Sequence, residues 1–173
     1  MPIYAIGDQE PTIDAEAYVH PEAVIIGSVT IGPESSVWPH AVLRGDDGEI
    51  RIGARTSIQD GTVVHTTPFW PTTVGDDCVI GHNVHLEGCT VEDGSLVGSG
   101  SVVLHRAVVR TEGLVGAGAL VTNDTEVPSR AMALGVPAVV KEGRVDPDLM
   151  IRPGAHTYRQ RVPRYRAELR RLD

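Results

Sequence analysis

The stretch VIGHNVHLEGCTV, residues 79–91, brings His82, His85, Glu87 and Cys89 together in a chain with seven histidines and two cysteines. Imidazole, carboxylate and thiolate are the groups that hold zinc, and an imidazole near neutral pKa also moves protons. Elsewhere the chain offers Arg44, Asp46, Ser57, Gln59, Asp60 and His65. These lie too far apart in sequence to form a local motif. Whether they make a site depends on the elements that carry them.

A repeat supplies those elements. An apolar residue recurs every six positions at Ile13, Val19, Ile25, Ile31, Val37 and Leu43, then at Ile52, Ile58 and Val64. After the interruption TTPFWPTT the series resumes at Val74, Ile80 and Leu86. One five-residue step leads to Val91 and on through Val97, Val103, Val109, Val115, Val121 and Val127. Gly often follows the apolar residue. Four positions after it a small or β-branched residue is common, as at Ala17, Ala23, Val29, Ser35, Ala41, Thr56, Thr62, Val84, Ser101 and Ala119. This spacing matches no helix face. A period of six fits a short strand and a turn, too small to bury its apolar side alone, so strands must stack coil on coil. Three such units make one coil of a prism. A plain antiparallel barrel gives no reason for hexads held this long. Periodicity leaves the hand of the coil open.

Stacking turns distance in sequence into proximity. The residues flanking each inward position point out. His65 follows Val64 and Glu87 follows Leu86, both on the third strand of a coil, so they share one wall a layer apart, ~4.8 Å between strands. Arg44 follows Leu43 one coil below, with Asp46 in the loop after it. His85 lies on the strand of Glu87. His82 sits near the corner of the preceding wall, above Asp60, which becomes its candidate hydrogen-bond acceptor. It should diverge from His65 and Glu87 within one chain and meet them only from a neighbouring subunit. A single outward histidine on such a wall is ordinarily surface decoration. The stacking of His65 under Glu87, with Arg44, Gln59, Asp60 and His82 around it, is what points to metal.

Composition agrees. Aromatics are 4% and hydrophobic residues 41%, which suits thin layers of Val, Ile, Leu and Ala. A net charge of −8 argues against nucleic-acid or anionic-membrane partners. Two cysteines are too few for a disulfide framework. The start MPIYAIGD has neither the basic residues nor the apolar run of a signal peptide, and no segment is apolar enough to span a bilayer. The expectation is a reduced, cytoplasmic protein. The solenoid is expected over residues 1–140. Residues 141–173 should form a linker and a C-terminal helix, with Tyr158, Val162, Tyr165 and Leu169 at helical spacing and a basic outer face. Pro163 should kink that helix or mark its start.

The segments VWPHAVLRGDDGEIRIGARTSIQDGTVVH, VGDDCVIGHNVHLEGCTVEDGSLVGSGSVVL and ALGVPAVV resemble the gamma-class carbonic anhydrase-like proteins, over residues 10–172. The resemblance implies a mainly β fold, a left-handed parallel β-helix of hexapeptide repeats with a C-terminal α-helix packed on the prism. It implies a homotrimer with zinc, iron or cobalt held between subunits. It assigns His65 and, across the interface, His82 as metal ligands. Where the family has its third His this chain has Glu87, with His85 as the alternative. Arg44 and Asp46 match the family's interface salt bridge. Gln59 and Asp60 match its Gln and Asp, and Ser57 stands where Asn is frequent. A His, His, Glu set is sound for zinc.

The activity so implied is that of a zinc lyase: reversible hydration of carbon dioxide, a small-molecule substrate, by hydroxide held on the metal. Gln59 would orient the nucleophile and His85 would shuttle the proton. Glu87 in place of the third His implies weak activity or none. Two other readings stay open, since fold alone does not fix function. One is a hexapeptide-repeat acyltransferase or acyl-CoA thioesterase, although HTTPFWPTT is short for a catalytic loop. The other is a trimeric scaffold or binding protein without catalysis.

Overall fold

Most hexads form a two- or three-residue strand followed by a turn, and the strands stack in parallel from coil to coil. The computed structural model describes residues 2–173. The result is a left-handed parallel β-helix, a three-walled prism with a helix on its side. One wall runs upward through Tyr18–Val19, Ser36–Val37, Ser57–Ile58, Val79–Ile80, Leu96–Val97 and Leu114–Val115. A second runs through Val63–His65, His85–Glu87, Val102–Val103 and Leu120–Val121. A third runs through Thr72–Val74, Thr90–Val91, Val108–Val109 and Glu126–Val127. The longer strands Val24–Ile31 and Val42–Ile52 bend around an edge and join the second and third walls into one sheet.

The inward apolar series is the core. From Ile25 to Val127 its members are almost completely buried, and only Ile13, in the first coil, is partly open. The small residue four places on is also inward, and where it carries a hydroxyl it does more than fill space. Ser35, Thr56, Thr62 and Ser101 donate to the carbonyls of Gly53, Gly75, Gly81 and Gly116 of the next coil, at 2.6–2.9 Å. Those bonds satisfy buried polar groups that stacking would otherwise strand.

The edges carry left-handed residues in many of the coils. On one edge these are Glu34, Arg55, Asp77, Gly94, Glu112 and Arg130; on another Gly88, Arg106 and Asp124. Non-glycine residues in this region cost roughly 1 kcal/mol or more. Here their side chains meet partners one coil away: Arg55 with Asp77 at 2.7 Å, Arg106 with Asp124 at 2.6 Å, Arg130 with Glu112 at 2.7 Å.

The chain closes the prism with Met132–Leu134 and an antiparallel strand, Val139–Lys141. A short helix α1, Pro147–Met150, follows, capped by Asp146, which accepts from the Asp148 N–H at 3.0 Å. Helix α2, Arg152–Glu168, then lies along the first wall against Ser36–Val37 and Ser57–Ile58. It begins earlier than the aromatic spacing suggested, because Ile151 and Ala155 extend the buried stripe. Pro163 lies inside it, not at its start, at the loss of one backbone hydrogen bond. Tyr158 and Tyr165 pack edge-on against Trp38, at 5.2 and 4.9 Å. Leu169 falls beyond the helix and is exposed. The basic face is also not wholly outward. Arg152 reaches Glu112, Arg159 reaches Glu34, and Arg166 donates to the carbonyls of Glu16 and Ala17.

Candidate metal centre

Register places the first pair. Arg44, His65 and Glu87 are directly stacked neighbours in three successive coils. Glu87 Oε1 stands 3.4 Å from His65 Nδ1. The other ring nitrogen of His65 faces Asp46 Oδ1 at 3.3 Å, and Asp46 in turn accepts from Arg44. His65 is thus held between two carboxylates at the edge where the second wall turns into the third. Arg44 and Asp46 pair within the chain.

Glu87 is the hub of this edge. Its Oε2 is 3.0 Å from His85 Nε2, and its Oε1 is 3.4 Å from His105 Nε2. Partial burial pushes its carboxyl upward, but the hydrogen bond to His85 and the nearby His105 and His65 rings, each 3.4 Å away, outweigh that and hold it below the ordinary glutamate range. Asp46 behaves alike: burial pushes it up, while Arg44, its own backbone N–H and His65 bring it down. Both carboxylates are therefore ionised at neutral pH, as metal donors must be.

His82 lies on a different edge, between the first and second walls. Its Nδ1 is 3.0 Å from Asp60 Oδ2, as stacking predicted, and its Nε2 is 3.3 Å from the Tyr158 hydroxyl of α2. Gln59 is buried beside Asp60. Ser57 points onto the wall that α2 covers. Its hydroxyl is buried without a hydrogen-bond partner and lies away from His65. The structure thus brings together Arg44, Asp46, His65, His85 and Glu87 on one edge. It gathers Asp60 and His82 on another, with Gln59 at the adjoining wall end.

Two residues of these clusters are not evident from the hexad spacing. His105 belongs to the coil above Glu87, where the Arg106 N–H bonds the Gly88 carbonyl at 2.7 Å. The same coil arithmetic, carried one layer further, places it in that layer but does not give its contact with Glu87. Tyr158 belongs to the helix stripe, and nothing in its spacing ties it to His82.

The donor chemistry fits half of a zinc site. Two ligands of a tetrahedral zinc stand roughly 3.3 Å apart, given bonds of about 2 Å. The His65–Glu87 separation matches that edge. Among the described residues, only Asp46, Asp47 and His65 bring three donor atoms within 4.8 Å of one another. His85, His105 and His65 approach Glu87 from different sides and do not converge on a common point. The two cysteines are not candidates. Both are buried, and burial pushes each thiol up to about 12.

Comparison with known proteins agrees with this architecture. Residues 71–105 match the bacterial transferase hexapeptide (six repeats) model. The chain is 44% identical over 137 residues to gamma carbonic anhydrase 1, mitochondrial, of Arabidopsis thaliana, covering 76% of this chain and 50% of that protein. It therefore spans half the length of that relative. It is 38% identical to the carnitine operon protein CaiE of Proteus sp., covering 80% of this chain and 70% of the other. Among solved structures, a hexapeptide transferase family protein from Anaplasma phagocytophilum superposes with a TM-score of 0.88 at 34% identity, covering 97% and 98% of the two chains.

Proposed function

The chain belongs to the hexapeptide-repeat, gamma carbonic anhydrase-like family, and from that premise we propose that it is a metal-dependent lyase for the reversible hydration of carbon dioxide. The observation that carries this reading is the register that sets Glu87 directly over His65, two donors at the separation one ion requires. His65 and Glu87 of one protomer would hold the metal together with His82 of the next, in a homotrimer. Zinc is the proposed ion, with iron or cobalt as substitutes. A divalent ion there would lower the pKa of a water and so supply the nucleophile at neutral pH.

The chain's own residues do the rest. Asp46 orients His65 through the ring nitrogen that faces away from Glu87, and Arg44 fixes Asp46. Asp60 does the same for His82 at Nδ1, so Nε2, here 3.3 Å from the Tyr158 hydroxyl, is the nitrogen that would turn to the metal. Gln59, buried and polar, orients the attacking water. His85 is about one-third exposed and hydrogen-bonded to Glu87, so it bridges the site and solvent and would carry the proton out.

A second reading, acyl transfer or acyl-CoA hydrolysis, is favoured by the hexapeptide transferase match and by the Anaplasma structure. Neither cysteine could serve it as nucleophile, since a thiol with a pKa near 12 is protonated at neutral pH. Metal analysis of the purified protein, then hydration assays with zinc or ferrous iron restored, tests the first reading. About one ion per chain and measurable hydration are expected. Less than ~0.3 ion per chain after reconstitution would overturn it. Acyl-CoA turnover without hydration would select the second.

A further inference from the structure

We propose that His105, braced by Trp70, is a positioning residue that fixes the Glu87 carboxylate toward His65 for metal binding. This rests on the reading of Glu87 as a ligand. A glutamate needs such help. Its carboxylate turns about three side-chain torsions where an imidazole turns about two, so an unguided Glu at this position loses more freedom on binding an ion.

His105 Nε2 is buried and makes no hydrogen bond of good geometry, yet it points at Glu87 Oε1 from 3.4 Å. Buried polar atoms without partners are rare and call for an explanation. A small rotation of the carboxylate toward His65 or away from it makes or breaks that bond. His105 is not itself a third ligand to an ion shared with His65. It approaches Glu87 from another side, and no three donors of this group lie within 4.8 Å of one another.

The brace is built from the TTPFWPTT interruption. The Trp70 ring stacks on His105 with centroids 5.3 Å apart and planes 30° from parallel. The Arg106 guanidinium sits 4.4 Å over the same indole. Thr67 Oγ1 accepts from the Trp70 N–H at 3.0 Å, and Thr66 Oγ1 donates to its carbonyl at 2.9 Å. Gly88 leaves room for this closure. A Cβ there would stand 3.2 Å from both His105 Cδ2 and Trp70 Cβ, and its φ of +60° already disfavours any side chain. The loop that breaks the hexad pattern thus props the residue that departs from the family's ligand pattern.

The test is titration of metal-free, full-length protein with cobalt(II), read by visible absorption and by chelator competition. The proteins are the parent, His105→Leu, His105→Gln and Trp70→Leu, each checked by thermal melting. The parent should bind cobalt. His105→Leu should bind it about 10- to 100-fold more weakly, the usual cost of losing a partner of a metal ligand. His105→Gln, which keeps a donor, should recover most of that loss. Trp70→Leu should weaken binding in the same direction. Equal affinity in His105→Leu and parent, or a His105→Gln as weak as His105→Leu, would overturn the prop and leave the metal reading standing. A parent that binds no cobalt would remove both. If His105→Leu fails to fold, the glutamine and Trp70 variants decide.

Discussion

Glu87 replaces an imidazole by an anion, and charge is what the substitution changes first. A carboxylate donates more negative charge than a histidine, which makes the ion a weaker Lewis acid and the supply of hydroxide at neutral pH smaller. Glu87→His should therefore raise hydration at pH 7, by roughly tenfold for each unit by which the coordinated water becomes more acidic. Unchanged metal affinity and rate would show that Glu87 is not a ligand. The pairing of Glu87 with His65, and of Asp60 with His82, was legible in the sequence because register is arithmetic once the hexads are counted. The contact of His105 with Glu87 was not. Corner residues take their direction from whatever packs on them, here the indole of Trp70, and no period encodes that.

The edge ladders are the element on which the walls depend. Many coils carry left-handed corner residues, and ion pairs across coils offset part of their strain. Ion pairs also cross coils away from the left-handed corners: Arg110 links Glu92 and Glu126, each at 2.8 Å, with the Thr111 N–H also donating to Glu92. The hydrogen bond from Arg110 outweighs burial and holds the Glu92 carboxyl below its ordinary range. A lowered folded pKa contributes stability that is present above the unfolded value and is lost as pH falls through the folded one. Glu92→Gln should accordingly lower the melting temperature at pH 7 by a few degrees, since a pair this exposed is worth at most about 1 kcal/mol. The gap to the parent should narrow below about pH 4. A gap independent of pH would assign the loss to packing. The walls themselves were readable from composition and period. Helix α2 was readable in its stripe, but its true start at Arg152 was hidden, because Ile151 and Ala155 continue the stripe through residues with the look of a linker.

At the scale of the molecule, the two half-sites stand on different edges, His65 with Glu87 on one and His82 with Asp60 on another. A prism has three edges, so protomers set side by side about a threefold axis would bring unlike edges together at each of three contacts. Sedimentation should then show particles of three 18.5 kDa chains. His82→Ala should keep that size and lose the metal. Monomers, or metal retained in His82→Ala, would break the cross-subunit arrangement. Among the described residues no helix is long and apolar enough to cross a membrane.

The parallel pile of coils has one more effect. Each layer leans on the one beneath and the one above. A layer peeled from either end surrenders a single interface, whereas one opened in the middle surrenders two. His65 and Glu87 belong to middle layers, so fraying at the ends would leave them in place.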